Sequence, residues 1–222
     1  MFAAAIALAS VPGASAAAPV PPIDVLQARY RSELEALPPL GNVVFRYQES
    51  RSGPTHVREE EHRVYRRDDG EERNETLAVN GAPVVPAIVR LVSQPVWPYD
   101  VREFAVDTPE YAVLSLGATQ VFGRRAYALS SVRTTPGDFA VTRVYLDALR
   151  FLPLREAFDV SGGSCAGSGT IDFAPADDRW LPTSVSVTCT VAPGGSEFKE
   201  SISFSDYTFP QTLPPDVFGG RL

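Results

Sequence analysis

The 222-residue chain has few of the residues that build catalytic and metal sites. It contains two cysteines, two histidines and one methionine, and Lys199 is its single lysine. It has no G-x-S-x-G nucleophile motif, and the glycine-rich stretch at residues 161–164 lacks the strand–loop–helix context of a phosphate site. We therefore predict no catalytic residue, no cofactor and no enzymatic activity.

The two histidines do not form an evident metal site. His56 and His62 fall on one predicted strand with Glu59, Glu60 and Glu61 between them. A separation of six residues on a strand is about 20 Å at 3.3 Å per residue, too far for two ligands of one ion. The sequence therefore predicts no metal.

The chain also lacks an excess of positive charge and a long hydrophobic run. Its net charge is −7, which disfavours a nucleic-acid groove or an anionic membrane surface. Residues 2–9 are apolar but too few to span a bilayer, so no transmembrane segment is predicted. Followed by Ala14-Ser15-Ala16, they match a signal peptide, with a disordered alanine-rich tail as the alternative. We expect residues 1–16 to be a signal peptide cleaved near Ala16, residues 17–222 to form one domain, and the protein to be periplasmic.

Alternating apolar and polar residues dominate the C-terminal part of the chain. Residues 165–174, 180–191 and 197–207 are predicted as three antiparallel strands joined by short turns. A hairpin centred on Asp177 places Phe173 opposite Leu181 and Cys165 opposite Cys189. Opposed residues lie at a separation that a disulfide can span, so a disulfide is predicted, with two buried free thiols as the alternative.

One helix and further strands complete the predicted fold. Residues 23–37 carry apolar side chains at helical spacing and end at Pro38-Pro39. Strands are predicted at residues 42–50, 55–67 and 71–79, and again from residue 111 onward. We predict a mainly β (α+β) fold: a half-open antiparallel β-barrel of about ten strands capped by the N-terminal helix.

Residues 82–106 are apolar but interrupted by four prolines. This pattern predicts an irregular or partly helical lid or plug, with a plain buried connection as the alternative. A one-sided sheet has more apolar face than one helix covers, so we expect a cavity that suits an acyl chain. A fully packed interior is the alternative. The candidate cavity and lid residues are Phe45, Leu91, Trp97, Tyr99, Phe104, Ile171, Phe173, Leu181, Val185, Val187, Phe198, Ile202 and Phe204.

The order of these segments resembles the periplasmic lipoprotein-carrier (LolA/LolB-like) superfamily, of the outer-membrane lipoprotein-sorting type. The resemblance lies in the opening helix and strand at residues 24–37 and 43–48, in residues 143–147 and 152–155, and in the closing strand and tail at 202–209 and 213–218. It implies an incomplete β-barrel with a hydrophobic cavity for lipid chains and no catalysis.

The sequence departs from that family at one point. The carriers have an Arg-Pro pair whose arginine helps to hold a lid closed, whereas Arg66 and Arg67 are followed here by Asp68. These two arginines are the nearest candidates for a lid latch. The function expected is that of an exported, non-enzymatic binder or carrier of acyl chains or lipidated ligands. The alternative is a periplasmic protein-interaction or envelope-stress-sensing module of the same fold, whose partner is an envelope protein.

Overall fold

The structure is a computed structural model that describes residues 19–92, 100–162, 165–190 and 195–218. It contains one α-helix, one short 3-10 helix and eleven strands in these residues. The bounds are α1 Ile23–Ala36, β1 Val43–Ser52, β2 Val57–Arg66, β3 Glu72–Val79, β4 Ala82–Val92, the 3-10 helix Val101–Phe104, β5 Tyr111–Val121, β6 Arg124–Arg133, β7 Phe139–Asp147, β8 Pro153–Val160, β9 Ala166–Ala176, β10 Arg179–Thr190 and β11 Glu197–Thr208.

The eleven strands form a single open antiparallel sheet. Its order is β4-β3-β2-β1-β11-β10-β9-β8-β7-β6-β5, so β4 and β5 are its two free edges. The mainly β, half-open architecture predicted from the sequence is confirmed. Among the described residues, no helix combines the length and the apolarity needed to cross a bilayer. The predicted signal peptide at residues 1–16 lies outside the described residues.

Helix α1 packs on one face of the sheet, called here the inner face. Leu26, Tyr30 and Leu34 recur at spacings of four and are buried, as the helical pattern predicts. They join a core that draws apolar side chains from both halves of the sheet. The helix therefore lies across the inner face and buries part of it.

Residues 82–106 differ from the predicted lid. Residues 82–92 form edge strand β4, which follows a tight turn in which Asn80 and Gly81 both have positive φ. Prolines within a strand are tolerated when that strand lies at an edge, because the missing N–H would face solvent. The lid prediction is wrong for this half of the segment.

The second half of that segment does enter the core. Residues 101–106, called here the plug, contain the 3-10 helix and bury Val101, Phe104 and Val106. The Phe104 ring lies 6.0 Å from the ring of Phe139 and 5.8 Å from that of Phe173. The plug therefore covers a part of the inner face that α1 leaves uncovered.

The hairpin of β9 and β10 has a different register from the predicted one. Its turn is centred between Asp177 and Asp178, and an irregularity between Pro182 and Ser184 adds one residue to β10. As a result Val185 opposes Ile171, and Cys189 opposes Gly167 and not Cys165. The predicted pairing is wrong by two residues, but a shift of two keeps Ile171, Val185 and Cys189 on the same face.

The disulfide nevertheless forms between Cys165 and Cys189, with Cα atoms 5.1 Å apart. Cys165 lies just before β9 begins at Ala166. This bond is consistent with an exported protein, since disulfides persist in oxidising compartments.

A buried carboxylic acid lies between the helix and the sheet. Glu156 on β8 is fully buried, and the Tyr30 hydroxyl of α1 donates to its Oε1 at 3.5 Å. Its Oε2 has no hydrogen-bond partner among the described residues. Burial raises the pKa of the Glu156 carboxyl well above its ordinary value, so that the folded protein favours the neutral acid.

Removing the disulfide should destabilise the fold without changing it. We expect Cys165→Ser/Cys189→Ser to lower the free energy of unfolding in urea by about 2–4 kcal/mol, because the bond restrains the unfolded chain. Chemically reduced wild-type protein should have the same free energy of unfolding as the double variant. Labelling of unfolded, unreduced protein should find no thiol, and two labelled thiols would contradict the disulfide.

Glu156 should make stability fall with rising pH. Above its ordinary pKa of 4.5 the unfolded chain loses this proton while the folded protein keeps it. The free energy of unfolding therefore decreases as pH rises through that range. We expect Glu156→Gln to equal the wild type near pH 4 and to exceed it in stability at pH 8, in urea titrations at both values.

Glu35→Gln is the matched control, because Glu35 is an exposed acid on α1. Its stability should follow the wild-type dependence on pH. If the free energy of unfolding of Glu156→Gln and that of the wild type change in parallel with pH, Glu156 is already charged in the folded protein.

Candidate functional site

The inner face is divided into a packed region and an open region. The packed region lies under α1 and the plug. Eight of the predicted cavity residues belong to the buried hydrophobic core, namely Phe45, Phe104, Ile171, Phe173, Val185, Val187, Ile202 and Phe204. At these positions the alternative of a packed interior describes the structure better than an open cavity: Phe104 of the plug packs against Phe173, and Phe45 packs against Phe204 and Tyr207.

The open region begins at the disulfide end of the sheet. A cavity of about 400 Å³ lies there, lined by apolar groups of Val160, Val187 and Phe198 and by the disulfide. The polar residues of its lining are Arg51, Asp138 and Glu200. Its volume falls within the range of small-molecule sites, and its lining combines an apolar wall with three charged side chains.

A second cavity of about 240 Å³ shares Arg51 and Glu200 with the first. Its walls come from β1 to β4 and from β11, and nine of its twelve lining residues are polar or charged. Ile202 and Phe204, both predicted cavity residues, provide apolar surface to it. The polar lining consists of Tyr47, Glu49, Arg51, Glu60, His62, Glu72, Asn74, Arg90 and Glu200.

Burial shifts the acid–base behaviour of this second cavity. Glu72 is 2% exposed, and burial raises the pKa of its carboxyl to about 7, opposed in part by the charge of Arg66. Burial also lowers the pKa of the His62 imidazole and raises that of the Tyr47 hydroxyl to about 12. The Glu72 carboxyl therefore titrates near neutral pH, whereas the His62 imidazole and the Tyr47 hydroxyl favour their neutral forms there.

The imidazole of His62 has partners on both nitrogens. Nδ1 lies 2.9 Å from Asn74 Oδ1, and Nε2 lies 3.1 Å from Glu60 Oε2. The Tyr47 ring stacks on the imidazole with their centroids 4.4 Å apart. His56, by contrast, is exposed at the far end of the β1–β2 hairpin.

The other predicted site residues lie elsewhere. Leu91 is 49% exposed on edge strand β4, away from the packed core. Leu181 is buried, but it opposes Ala174, whereas Pro182 opposes Phe173. Because the turn is centred between Asp177 and Asp178 and not on Asp177, Leu181 lies on the face opposite Phe173, which corrects the predicted placement. Trp97 and Tyr99 lie outside the described residues.

The contact that holds the plug to α1 comes from Arg102, which the sequence reasoning missed. Its guanidinium donates to the carbonyl oxygens of Leu34 at 3.2 Å, Leu37 at 2.5 Å and Pro38 at 3.3 Å, and pairs with Asp100 at 2.9 Å. These carbonyls end a helix that has no basic residue in its last turn. A cation at this end complements the helix dipole and satisfies the free carbonyls.

The two arginines expected to form a latch have other partners. Arg67 pairs with Glu71 in its own hairpin at 2.6 Å, and its guanidinium lies 5.2 Å from the Phe218 ring centroid. The charge of Arg66 acts on Glu72 and on Glu103 of the plug. The contact to the helix end, called here the Arg102 latch, is made from the plug side, and the role of Arg66 and Arg67 in holding a lid stays a prediction.

No protein-family model matches the sequence, and no curated protein matches it either. The fold is similar to several solved structures. A LolA superfamily protein from Nitrosomonas europaea is 15% identical with a TM-score of 0.45, over 87% of this chain and 96% of that one. An outer membrane lipoprotein-sorting protein domain from Vibrio parahaemolyticus is 14% identical with a TM-score of 0.46, over the same shares.

A DUF1329 family protein from Desulfovibrio piger is 14% identical with a TM-score of 0.47, over 90% of this chain and 98% of that one. At these identities the likeness describes the fold alone. One of these structures is described as a LolA superfamily protein and another as an outer membrane lipoprotein-sorting protein domain, and this chain is similar to both in fold.

Proposed function

We propose that the protein is an exported, non-enzymatic binder or carrier of an acyl chain or another apolar ligand. The observation that carries this proposal is the cavity of about 400 Å³ beside the disulfide, with its wall of Val160, Val187 and Phe198. An alkyl chain gains about 0.8 kcal/mol for each methylene that leaves water, so an apolar wall is enough for useful affinity.

The direction of entry follows from what closes the rest of the inner face. The plug and α1 cover the packed region, and Arg102 ties them together through three carbonyl oxygens. The ligand therefore enters at the disulfide end, with its polar end toward Arg51 and Glu200, which line both cavities.

A second candidate function is strand addition by an envelope protein. Among the described strands none pairs with the outer side of edge strand β4, which exposes Val85 by 87% and Ile88 by 52%. An extended segment of a partner can pair with such an edge and cover its aliphatic side chains. A pull-down from periplasm separates the two functions, since this one predicts a defined protein whose capture is lost in Ile88→Lys.

A change inside the cavity should abolish apolar ligand binding. We expect Val187→Asp to weaken binding of a fluorescent fatty-acid analogue at least about tenfold, because an unpaired carboxylate would be buried on the wall. Val132→Asp is the matched control, since Val132 is 64% exposed on β6, and its affinity should stay within about twofold of the wild type.

Val160→Trp, at the half-buried end of β8, reduces the cavity without burying a charge and should also weaken binding. Native mass spectrometry of the wild type should detect a co-purified lipid. If it detects none, and fluorescence of the analogue does not saturate, the proposal is wrong.

Loss of the latch should affect stability but not affinity. We expect Arg102→Ala to lower the free energy of unfolding by about 1–3 kcal/mol. The variant loses the charge-assisted hydrogen bonds from the guanidinium to the carbonyl oxygens at the C-terminal end of α1. The Kd for the fatty-acid analogue should change little, since the ligand enters at the other end. Arg150→Ala, at an exposed turn position, is the control for both measurements. A large loss of affinity in Arg102→Ala would place the entrance at the plug.

A further inference from the structure

Two neighbouring strands bring a histidine and two carboxylates together on the inner face. Glu49 of β1 opposes Glu60 of β2, and His62 follows Glu60 by two residues, on the same side of the strand. One ligand atom from each of these three residues lies within 4.8 Å of the others. This separation allows all three to contact a single ion.

The imidazole is oriented as in a metal-binding histidine. Asn74 Nδ2 donates to the Tyr47 hydroxyl at 2.8 Å, which turns the amide Oδ1 toward His62 Nδ1, 2.9 Å away. With Nδ1 as the donor, the lone pair of the neutral ring lies on Nε2. A hydrogen bond that fixes the second nitrogen is the usual outer-shell support of a histidine ligand.

In each of the two carboxylates, Glu49 and Glu60, one oxygen is paired with an arginine. Arg58 Nε donates to Glu60 Oε1 at 2.6 Å, and Arg51 Nε lies 2.5 Å from Glu49 Oε1. The second oxygen of Glu60 faces His62 Nε2 at 3.1 Å. Two ligand atoms 2.0–2.2 Å from a tetrahedral ion stand about 3.4 Å apart, close to this separation.

A further buried carboxylate lines the same cavity. Glu72 is 2% exposed, and its Oε2 has no hydrogen-bond partner among the described residues. The lining as a whole carries Glu49, Glu60, Glu72 and Glu200 against Arg51 and Arg90. An ion, or a water bound to it, would give this oxygen a partner and reduce the excess of negative charge.

We propose that Glu49, Glu60 and His62 form a three-ligand site for a divalent transition-metal cation, with Zn²⁺ as the best match. One imidazole with two carboxylates suits Zn²⁺ better than Mg²⁺ or Ca²⁺, which prefer oxygen ligands alone. Three protein ligands leave a coordination position open toward the cavity. This site does not use the apolar wall of the ligand cavity proposed above, although the two cavities share Arg51 and Glu200.

The test uses the full chain, freed of metal with a chelator and titrated with Zn²⁺ alone in a calorimeter. We expect one ion to bind per chain and to raise Tm, since a ligand of the folded state stabilises it. His62→Gln and Glu49→Gln should each weaken Zn²⁺ binding at least about tenfold, as the loss of a ligand does. His56→Gln is the matched control, because it removes the exposed histidine of the same hairpin, and its affinity should match the wild type.

Several outcomes would overturn the site. One is the absence of binding at millimolar Zn²⁺, and another is equal affinity in His62→Gln and the wild type, which would mean adventitious surface binding. Equal affinity for Ca²⁺ and Zn²⁺ would contradict the metal class. If His62→Gln does not fold, nitrogen NMR of the wild type decides: Zn²⁺ must shift the Nε2 resonance of His62, and an unchanged resonance overturns the proposal.

Discussion

The whole structure depends on covering the apolar inner face of a sheet that does not close on itself. One helix of 14 residues buries only three side chains deeply on that face. The plug completes the cover with Val101, Phe104 and Val106, and Arg102 connects it to the carbonyl end of α1. The Arg102 guanidinium thus donates to the helix carbonyls and also holds the apolar side chains of the plug in place. Electrostatics and packing therefore support the same arrangement.

The interior that remains open has two chemically distinct parts. Beside the disulfide it is mainly apolar and suits an alkyl chain, whereas between β1 and β4 it is lined by acids, arginines and His62. The two parts meet at Arg51 and Glu200. One protein molecule could therefore bind an apolar ligand in the first part and a cation in the second, because the two proposed sites use different residues for their main contacts.

Local sequence patterns predicted much of the fold, and their failures have physical causes. The prolines of residues 82–92 obscured β4, although Asn80-Gly81 before it is a strong hairpin signal, because edge position alone makes a proline acceptable in a strand. The turn centred between Asp177 and Asp178 put Leu181 on the other face, and the β10 irregularity moved the pairing beyond Pro182 by one further residue. In the sequence, such an extra residue shows only as a change of phase in the alternation of apolar and polar residues.

The sequence by itself determined most of the strands, the amphipathic helix and the buried side of most of those strands, because these follow from periods of two and of three to four residues. It also identified the cysteine pair. Only the tertiary structure decided that Phe104 of the plug packs against Phe173, that Arg102 holds the plug to α1, and that Glu49 lies beside Glu60 and His62. Those facts depend on contacts between segments distant in sequence, which no local period encodes.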